Sequence, residues 1–386
     1  MTVFLDLMRN EQFRCIVLVQ LLTVFSTNLL TPVMPVYFKL QGLSEGQIGL
    51  AMGVVSLGAL VVRPYAGKMV DQQGSRLTIF WGQGLTLAAM AAFLWATGFW
   101  PLLLVRLMQG VAMAFYGTGA VTFASGAESM DKVTAAVAFF SLFTMIGLGL
   151  GTSCSPWFYG LWGFASLVLV GLLTLGAGGI LMYTASRPIP VAKSGKRVSF
   201  GVILSQPKVL VPSVCLFASN FSLGTAFVFV PLLALHQGSD NSGVFFAAFS
   251  VAVISARMGV QYMTTHFKQE WTAIYASLLN AASVLLLALI PTALTFGVAG
   301  ILIGFGFGTI YPTLAGYLIQ RVSPINKGSA LSIFSGAGDV GNALGGAVLG
   351  VIAEWYGFRV VFLAAAAVVL VCTYIFFKAL VRESSA

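Results

Sequence analysis

Asp339 is the one carboxylate that lies deep inside a long apolar run, in the segment GAGDVGNALGG. The chain of 386 residues holds only eleven acidic residues, and the other ten fall at the ends of such runs or in the polar stretches between them. Burial disfavours the charged form, so an unpaired carboxylate shielded from water takes up and releases a proton near neutral pH. Reversible protonation is therefore the chemistry Asp339 offers. The competing reading is a packing Asp, hydrogen-bonded to backbone among glycines. Three basic residues, Arg63, Arg106 and Arg257, also lie within apolar runs, and a charge at membrane depth is a functional candidate by default. Arg106 has two readings: it modulates a proton site or meets an anionic substrate group, or it satisfies carbonyls of an interrupted first helix. Arg257 sits near the end of its run and is expected to snorkel to the surface.

Other chemistries lack their residues. An intramembrane hydrolase needs a nucleophile with its base, paired acids or metal ligands. The two histidines, His236 and His266, lie at a run end and in a polar stretch. Cys15, Cys154, Cys215 and Cys372 occupy four separate runs without metal-ligand spacing, and read as small apolar residues. No phosphate-binding Gly-x-x-x-x-Gly-Lys-Ser/Thr loop is present, so nucleotide hydrolysis is not the energy source. The chain is expected not to be an enzyme and to need no cofactor and no metal.

The elements that must position these charges are set by composition. Hydrophobic residues make up 58% of the chain and mean hydropathy is +0.95, more apolar surface than a soluble core can hide. Runs of about 20 apolar residues, long enough to cross a bilayer as helices, recur at 13–38, 46–69, 77–98, 100–123, 134–158, 163–184, 209–236, 243–264, 271–292, 294–319, 328–352 and 358–380. With these twelve spans, the loops on one face hold only Lys39 and Arg359. The termini and the opposite loops carry fifteen basic residues, among them Arg9, Arg14, Arg187, Lys193, Lys196, Arg197 and Lys208. That asymmetry predicts cytoplasmic termini. It also explains the net charge of +9 as topology, without a nucleic-acid partner. The first apolar run is too long for a cleaved signal peptide and contains Pro32 and Pro35.

An offset of 194 residues superposes like on like. Arg63 meets Arg257, Ser141 meets Ser335, Gly147 meets Gly341, Gly151 meets Gly345, and Gly163–Phe164 meets Gly357–Phe358. The chain is predicted to be two six-helix halves, 1–184 and 209–386, joined by the basic, poorly helical stretch 185–208. Two like halves around a site near the midplane are a secondary-transporter arrangement.

The densest cluster of charges, RPYAGKMVDQQGSR at 63–76, lies between the second and third runs. Gly67, Asp71, Gly74 and Arg76 in it resemble the Gly-x-x-x-Asp-x-x-Gly loop signature of the Major Facilitator Superfamily. RLMQGVAMAFYG, with Arg106, Gln109 and Gly110, is similar to the family's fourth-helix pattern. GLGLGTSCSP (147–156) partly matches the glycine-rich fifth-helix pattern of its antiporters, with Ser155–Pro156 where Gly-Pro is usual. GFGFGTIYP and GAGDVGNALGG are typical of its drug-efflux-like members. The resemblance covers essentially the whole chain. It implies an all-α integral membrane protein of twelve transmembrane helices in two pseudo-symmetric halves, in the bacterial cytoplasmic (inner) membrane.

Residue roles follow from that resemblance. Gly67 and Gly74 would permit a tight reversal. Asp71 would meet a helix N-terminus, for which the start of the eleventh helix is the family's candidate. Arg76 would reach Glu128, the whole cluster serving as a gate, against the plainer reading that these charges only mark topology. Gln72 stands where the family often has Arg, and the second half has Gln261 and Thr265 where the signature would need its Gly and Asp. Asp339 and Arg106 are the coupling candidates. Asn28, Thr31, Phe115, Tyr116, Phe143, Asn220, Phe221, Tyr311 and Asn342 are candidate cavity-lining residues, although aromatics in helices more often face lipid or core. The expected function is proton-coupled export of a small amphiphilic drug or metabolite by a monomer whose partners are substrate, protons and lipid. A proton-coupled importer or facilitator of a sugar or other metabolite is the alternative. A sensor that kept the transporter fold is a third.

Overall fold

The computed structural model describes residues 2–127, 133–187, 206–238, 242–322 and 327–384. Every regular element among them is an α-helix. These are α1 (Thr2–Arg9), α2 (Glu11–Leu30), α3 (Met34–Leu40), α4 (Glu45–Gln73), α5 (Ser75–Ala92), α6 (Phe99–Gly126), α7 (Val133–Ala185), α8 (Pro207–His236), α9 (Ser242–His266), α10 (Gln269–Leu289), α11 (Ala293–Arg321) and α12 (Lys327–Ser384).

Among the described residues nine helices are long and apolar enough to cross a membrane. Two of these, Ala135–Ala185 and Ala330–Val381, are 51 and 52 residues long. At 1.5 Å per residue each is more than twice the length of a hydrocarbon core of about 30 Å. Each breaks at a glycine with a left-handed backbone, Gly163 (φ 73°) and Gly357 (φ 75°), a conformation that only glycine adopts without strain. Each is therefore two spans, and Ser75–Ala92, at 18 residues, completes twelve. The two breaks are 194 residues apart, the repeat offset.

The first span is interrupted. Thr31–Val33 form a turn between α2 and α3, where Pro32 and Pro35 remove two helical N–H donors and push the residues before them out of helical geometry. The side chain of Asn10 starts α2, accepting from the backbone N–H of Gln12 (2.9 Å) and Phe13 (3.4 Å). Trp95, Trp100, Trp162 and Trp355 are exposed at the span ends opposite the termini, where amphipathic rings favour the bilayer interface.

The helices form two compact units, Met1–Tyr37 with Leu57–Ser194, and Phe38–Ser56 with Gly195–Ala386. In the first unit α2 lies on α7: a Cβ at Gly147 would stand 2.8 Å from the Leu21 carbonyl oxygen, and one at Gly151 would stand 2.6 Å from that of Phe25. In the second, the repeat-related Gly341 and Gly345 press against the carbonyls of Phe217 and Phe221 on α8. Helices in lipid gain little from the hydrophobic effect on meeting, so small residues that let backbones approach provide the packing. The outer part of α4, Glu45–Ser56, groups with the second unit, and its remainder with the first.

Candidate transport site

The charged signature segment is not a loop. α4 continues to Gln73, so Gly67 and Asp71 stand in its last two turns, and the expectation of a glycine-built reversal at Gly67 is corrected. A Cβ at Gly67 would meet nothing within 4 Å. The reversal rests on Gly74 alone, at φ 89°, directly before α5. The helix persists because apolar content ends where lipid ends, while backbone hydrogen bonding does not. Asp71 is exposed in the carboxyl-terminal turn of its own helix, where the local dipole disfavours a negative charge. Arg76 ties the start of α5 to the end of α7: Nε donates to Ser186 Oγ at 2.8 Å and Nη2 to the Tyr183 carbonyl at 3.0 Å. Its expected partner Glu128 lies outside the described residues.

Arg106 is buried within α6. Its Nη1 donates to Gln109 Oε1 at 2.8 Å and lies 3.3 Å from the sulfur of Met34, the first residue after the break in the first span. The arginine and the interrupted helix therefore share one place. One side of Tyr116 completes a second polar group in this unit. Its hydroxyl donates to Gln20 Oε1 (2.8 Å), and Gln20 Nε2 donates to Thr144 Oγ1 (2.9 Å). Tyr116 and Phe143 pack with the core of α2, α6 and α7, and Phe115 packs against Ala59, Ala66 and Ala114. Asn28 and Thr31 turn onto carbonyls of their own helix, Val24 at 2.9 Å and Thr27 at 3.2 Å.

In the second unit Asp339 is half-buried in α12, with Oδ2 shielded from solvent. One turn earlier on the same face, Ser335 Oγ lies 3.2 Å from the hydroxyl of Tyr311. The guanidinium of Arg257 stands 5.8 Å from the Tyr311 ring, a cation–π distance, and its Nε is buried without a hydrogen-bond partner among the described residues. The expected snorkelling of Arg257 is thus corrected: the side chain turns onto Tyr311. A phenol, a hydroxyl and a guanidinium meet on α9, α11 and α12, with Asp339 one helical turn beyond the hydroxyl on α12. Asn220 turns to its own helix, donating to the Leu216 carbonyl at 3.0 Å. Phe221 is buried with its ring against Phe217.

Asn342, three residues after Asp339, donates from Nδ2 to Ser56 Oγ at 3.0 Å. It begins a seam that the residue pattern did not announce. Gly49 and Gly53 of α4 press onto the carbonyls of Gly346 and Ala343 of α12, and a Cβ at Gly350 would stand 2.8 Å from the Glu45 carbonyl oxygen. At the end of the seam Glu354 accepts from Ser44 Oγ (3.0 Å) and from the Gly46 N–H (3.3 Å). Its carboxylate thus meets the free N–H groups and positive dipole of the start of α4. Ser44 and Gln47 close the same helix end reciprocally, Ser44 N–H to Gln47 Oε1 at 3.1 Å and Gln47 N–H to Ser44 Oγ at 3.3 Å. Small residues at 46, 49 and 53 were the available signal, but their partners lie some 300 positions away in sequence.

Twelve spans in a 194-residue repeat, with charges gathered at membrane depth, define a multi-pass membrane protein of the secondary-transporter class. The family description for the Major Facilitator Superfamily matches residues 16–324 and 243–386, and the chain belongs to that superfamily. It is a transporter of this family. It is 26% identical over 378 residues, 91% of each chain, to the staphylopine export protein of Staphylococcus aureus. It is likewise 26% identical over 347 residues to an uncharacterized MFS-type transporter of Salmonella typhimurium, covering 87% of this chain and 88% of that one. Among solved structures, the nucleoside transporter NupG shares its fold with a TM-score of 0.76 at 16% identity, over 96% of this chain and 99% of the other. A bacterial homolog to the human lysosomal transporter Spinster gives 0.74 at 13% identity, over 96% of both chains.

Proposed function

We propose that this transporter is a proton-coupled exporter of a small amphiphilic drug or metabolite, working by alternating access. The observation that carries the reading is the group around Asp339. A half-buried carboxylate at membrane depth, one helical turn from Ser335 and its contact with Tyr311, has the means to exchange a proton as its surroundings change. Export draws support from the sequence kinship to the staphylopine export protein and from the efflux-like segments around Gly67–Arg76 and Asp339. The halves 1–184 and 209–386, joined by 185–208, are read as the moving parts. We place the chain as a monomer in the bacterial cytoplasmic membrane with both termini cytoplasmic, following the basic-residue asymmetry. Arg106 is read as a modulator of proton exchange, and among the candidate lining residues Tyr311, beside Ser335, offers a polar contact to substrate.

The segment Gly67–Arg76 is read as a gate on the face that carries the termini, with Asp71 as its charge. Asp71→Asn is expected to insert and fold like the wild type while transport falls, because the gate loses the charge that would meet a helix N-terminus on closure, a contact worth about 0.3–2 kcal/mol. The check is an uptake assay in everted vesicles, normalised to membrane-inserted protein. Wild-type transport by a well-expressed Asp71→Asn protein would leave the segment as a topological marker alone.

A further inference from the structure

We propose that the groove between α5 and α7 binds a fatty-acid-like carboxylate that bears a hydroxyl partway along its chain, drawn from the leaflet on the termini side. Three observations within the first unit carry this, and none depends on the direction of transport. The first is shape. Phe80, Gly84 and Leu87 of α5 and Gly176, Gly179 and Ile180 of α7 line an apolar groove of about 350 Å³. It adjoins a second hollow of about 370 Å³ beside Trp81 that shares Phe80 and Gly84. Elsewhere glycines bring these helices into contact with their neighbours, but a Cβ at Gly84 or Gly176 would meet nothing within 4 Å. Here the small residues leave room.

The second observation is an acceptor with nothing to accept from. Gln83 is 2% exposed and lines the groove. Its Nε2 donates to Thr23 Oγ1 at 3.4 Å, while Oε1 is buried with no hydrogen-bond partner among the described residues. That oxygen faces Gly179, whose Cβ would lie 3.9 Å away. A buried acceptor left unmatched is costly, and more so away from water. A hydroxyl on the occupant supplies the missing donor, which a plain acyl chain does not.

The third is charge at the mouth. Arg76 lies 5.5 Å from the Phe80 ring and donates to the carbonyl of Tyr183, and both residues line the groove. Its guanidinium places a positive charge at the mouth of the groove. From Gly179 to Tyr183 and Ser186 is four to seven residues, about 6–10 Å along the helix. The occupant's carboxylate and hydroxyl are separated by about that length.

The test uses the full-length protein in nanodiscs and follows quenching of Trp81 by a brominated stearate, with Trp81→Phe defining that tryptophan's share of the signal. Competing mid-chain hydroxystearate is expected to displace the probe at about two- to tenfold lower concentration than stearate, the range of one net hydrogen bond. In Gln83→Met the two competitors become equal. In Gly84→Leu and Gly176→Leu, whose added side chains enter open space and favour the helix, the quenching is lost. Equal displacement by stearate and hydroxystearate in the wild type overturns the proposal. So does quenching that persists in both glycine variants, and these two arms decide it should Gln83→Met fail to fold.

Discussion

Asp339→Asn is expected to abolish accumulation driven by a pH gradient while leaving substrate counterflow intact. A pH difference of one unit supplies about 1.4 kcal/mol per exchanged proton, enough for a gradient of about tenfold. Liposomes holding the wild type should reach that ratio, and those holding Asp339→Asn should stop at unity. Asn keeps the size and hydrogen-bonding capacity of the side chain and removes only its proton chemistry. The half-buried setting of Asp339 makes the exchange tolerable for folding. Asp339→Glu restores a titratable group and should recover accumulation in part, which a purely structural role for the position would not produce. Accumulation against a gradient by the Asn variant would move the coupling site elsewhere, to Asp71 or Glu128.

The second large effect is expected at the seam between α4 and α12. Gly49→Val drives a side chain into the Gly346 carbonyl, and overpacking of a closed contact costs about 1–3 kcal/mol. Near the face opposite the termini, that is a shift of about 5–150-fold toward forms of the second unit in which α4 and α12 part. In a background lacking Cys15, Cys154, Cys215 and Cys372, a cysteine at Ser56 should react little with an impermeant thiol reagent added from that face. It should react readily once Gly49→Val is present. Gly259→Val, where a Cβ meets nothing within 4 Å, should leave labelling as it was. Unchanged labelling in Gly49→Val would mean that the contact of α4 with α12 does not shield Ser56. Glu354 sets the same end of the seam through Ser44 and Gly46.

The span pattern was legible in the residues because membrane crossing leaves a length and a hydropathy. Gly163 and Gly357 pair under the 194-residue offset, and the breaks in α7 and α12 fall on them. What hydropathy does not report is where a helix stops in water. α4 therefore runs through Gly67 and Asp71 to Gln73, and a segment matched as a loop is helical. Side-chain direction was equally silent. Arg257 near a run end suggested the surface, yet its guanidinium lies over Tyr311, where an aromatic face compensates for lost water. Gln20, Gln83 and Glu354 carry no signal in the sequence, because an uncharged amide in an apolar run, or an acid at a run end, has no distinguishing pattern alone. Their roles come from Tyr116, Thr144, Thr23 and Ser44, partners that only the fold brings near.

The most direct measurement of proton-coupled export is simultaneous recording of substrate flux and internal pH in liposomes of the purified protein, with a panel of small amphiphilic compounds. Movement of a substrate one way should drive protons the other way in a fixed ratio, and the proton signal should vanish in Asp339→Asn while substrate exchange continues. Substrate flux in the wild type with no accompanying proton movement would contradict proton coupling outright.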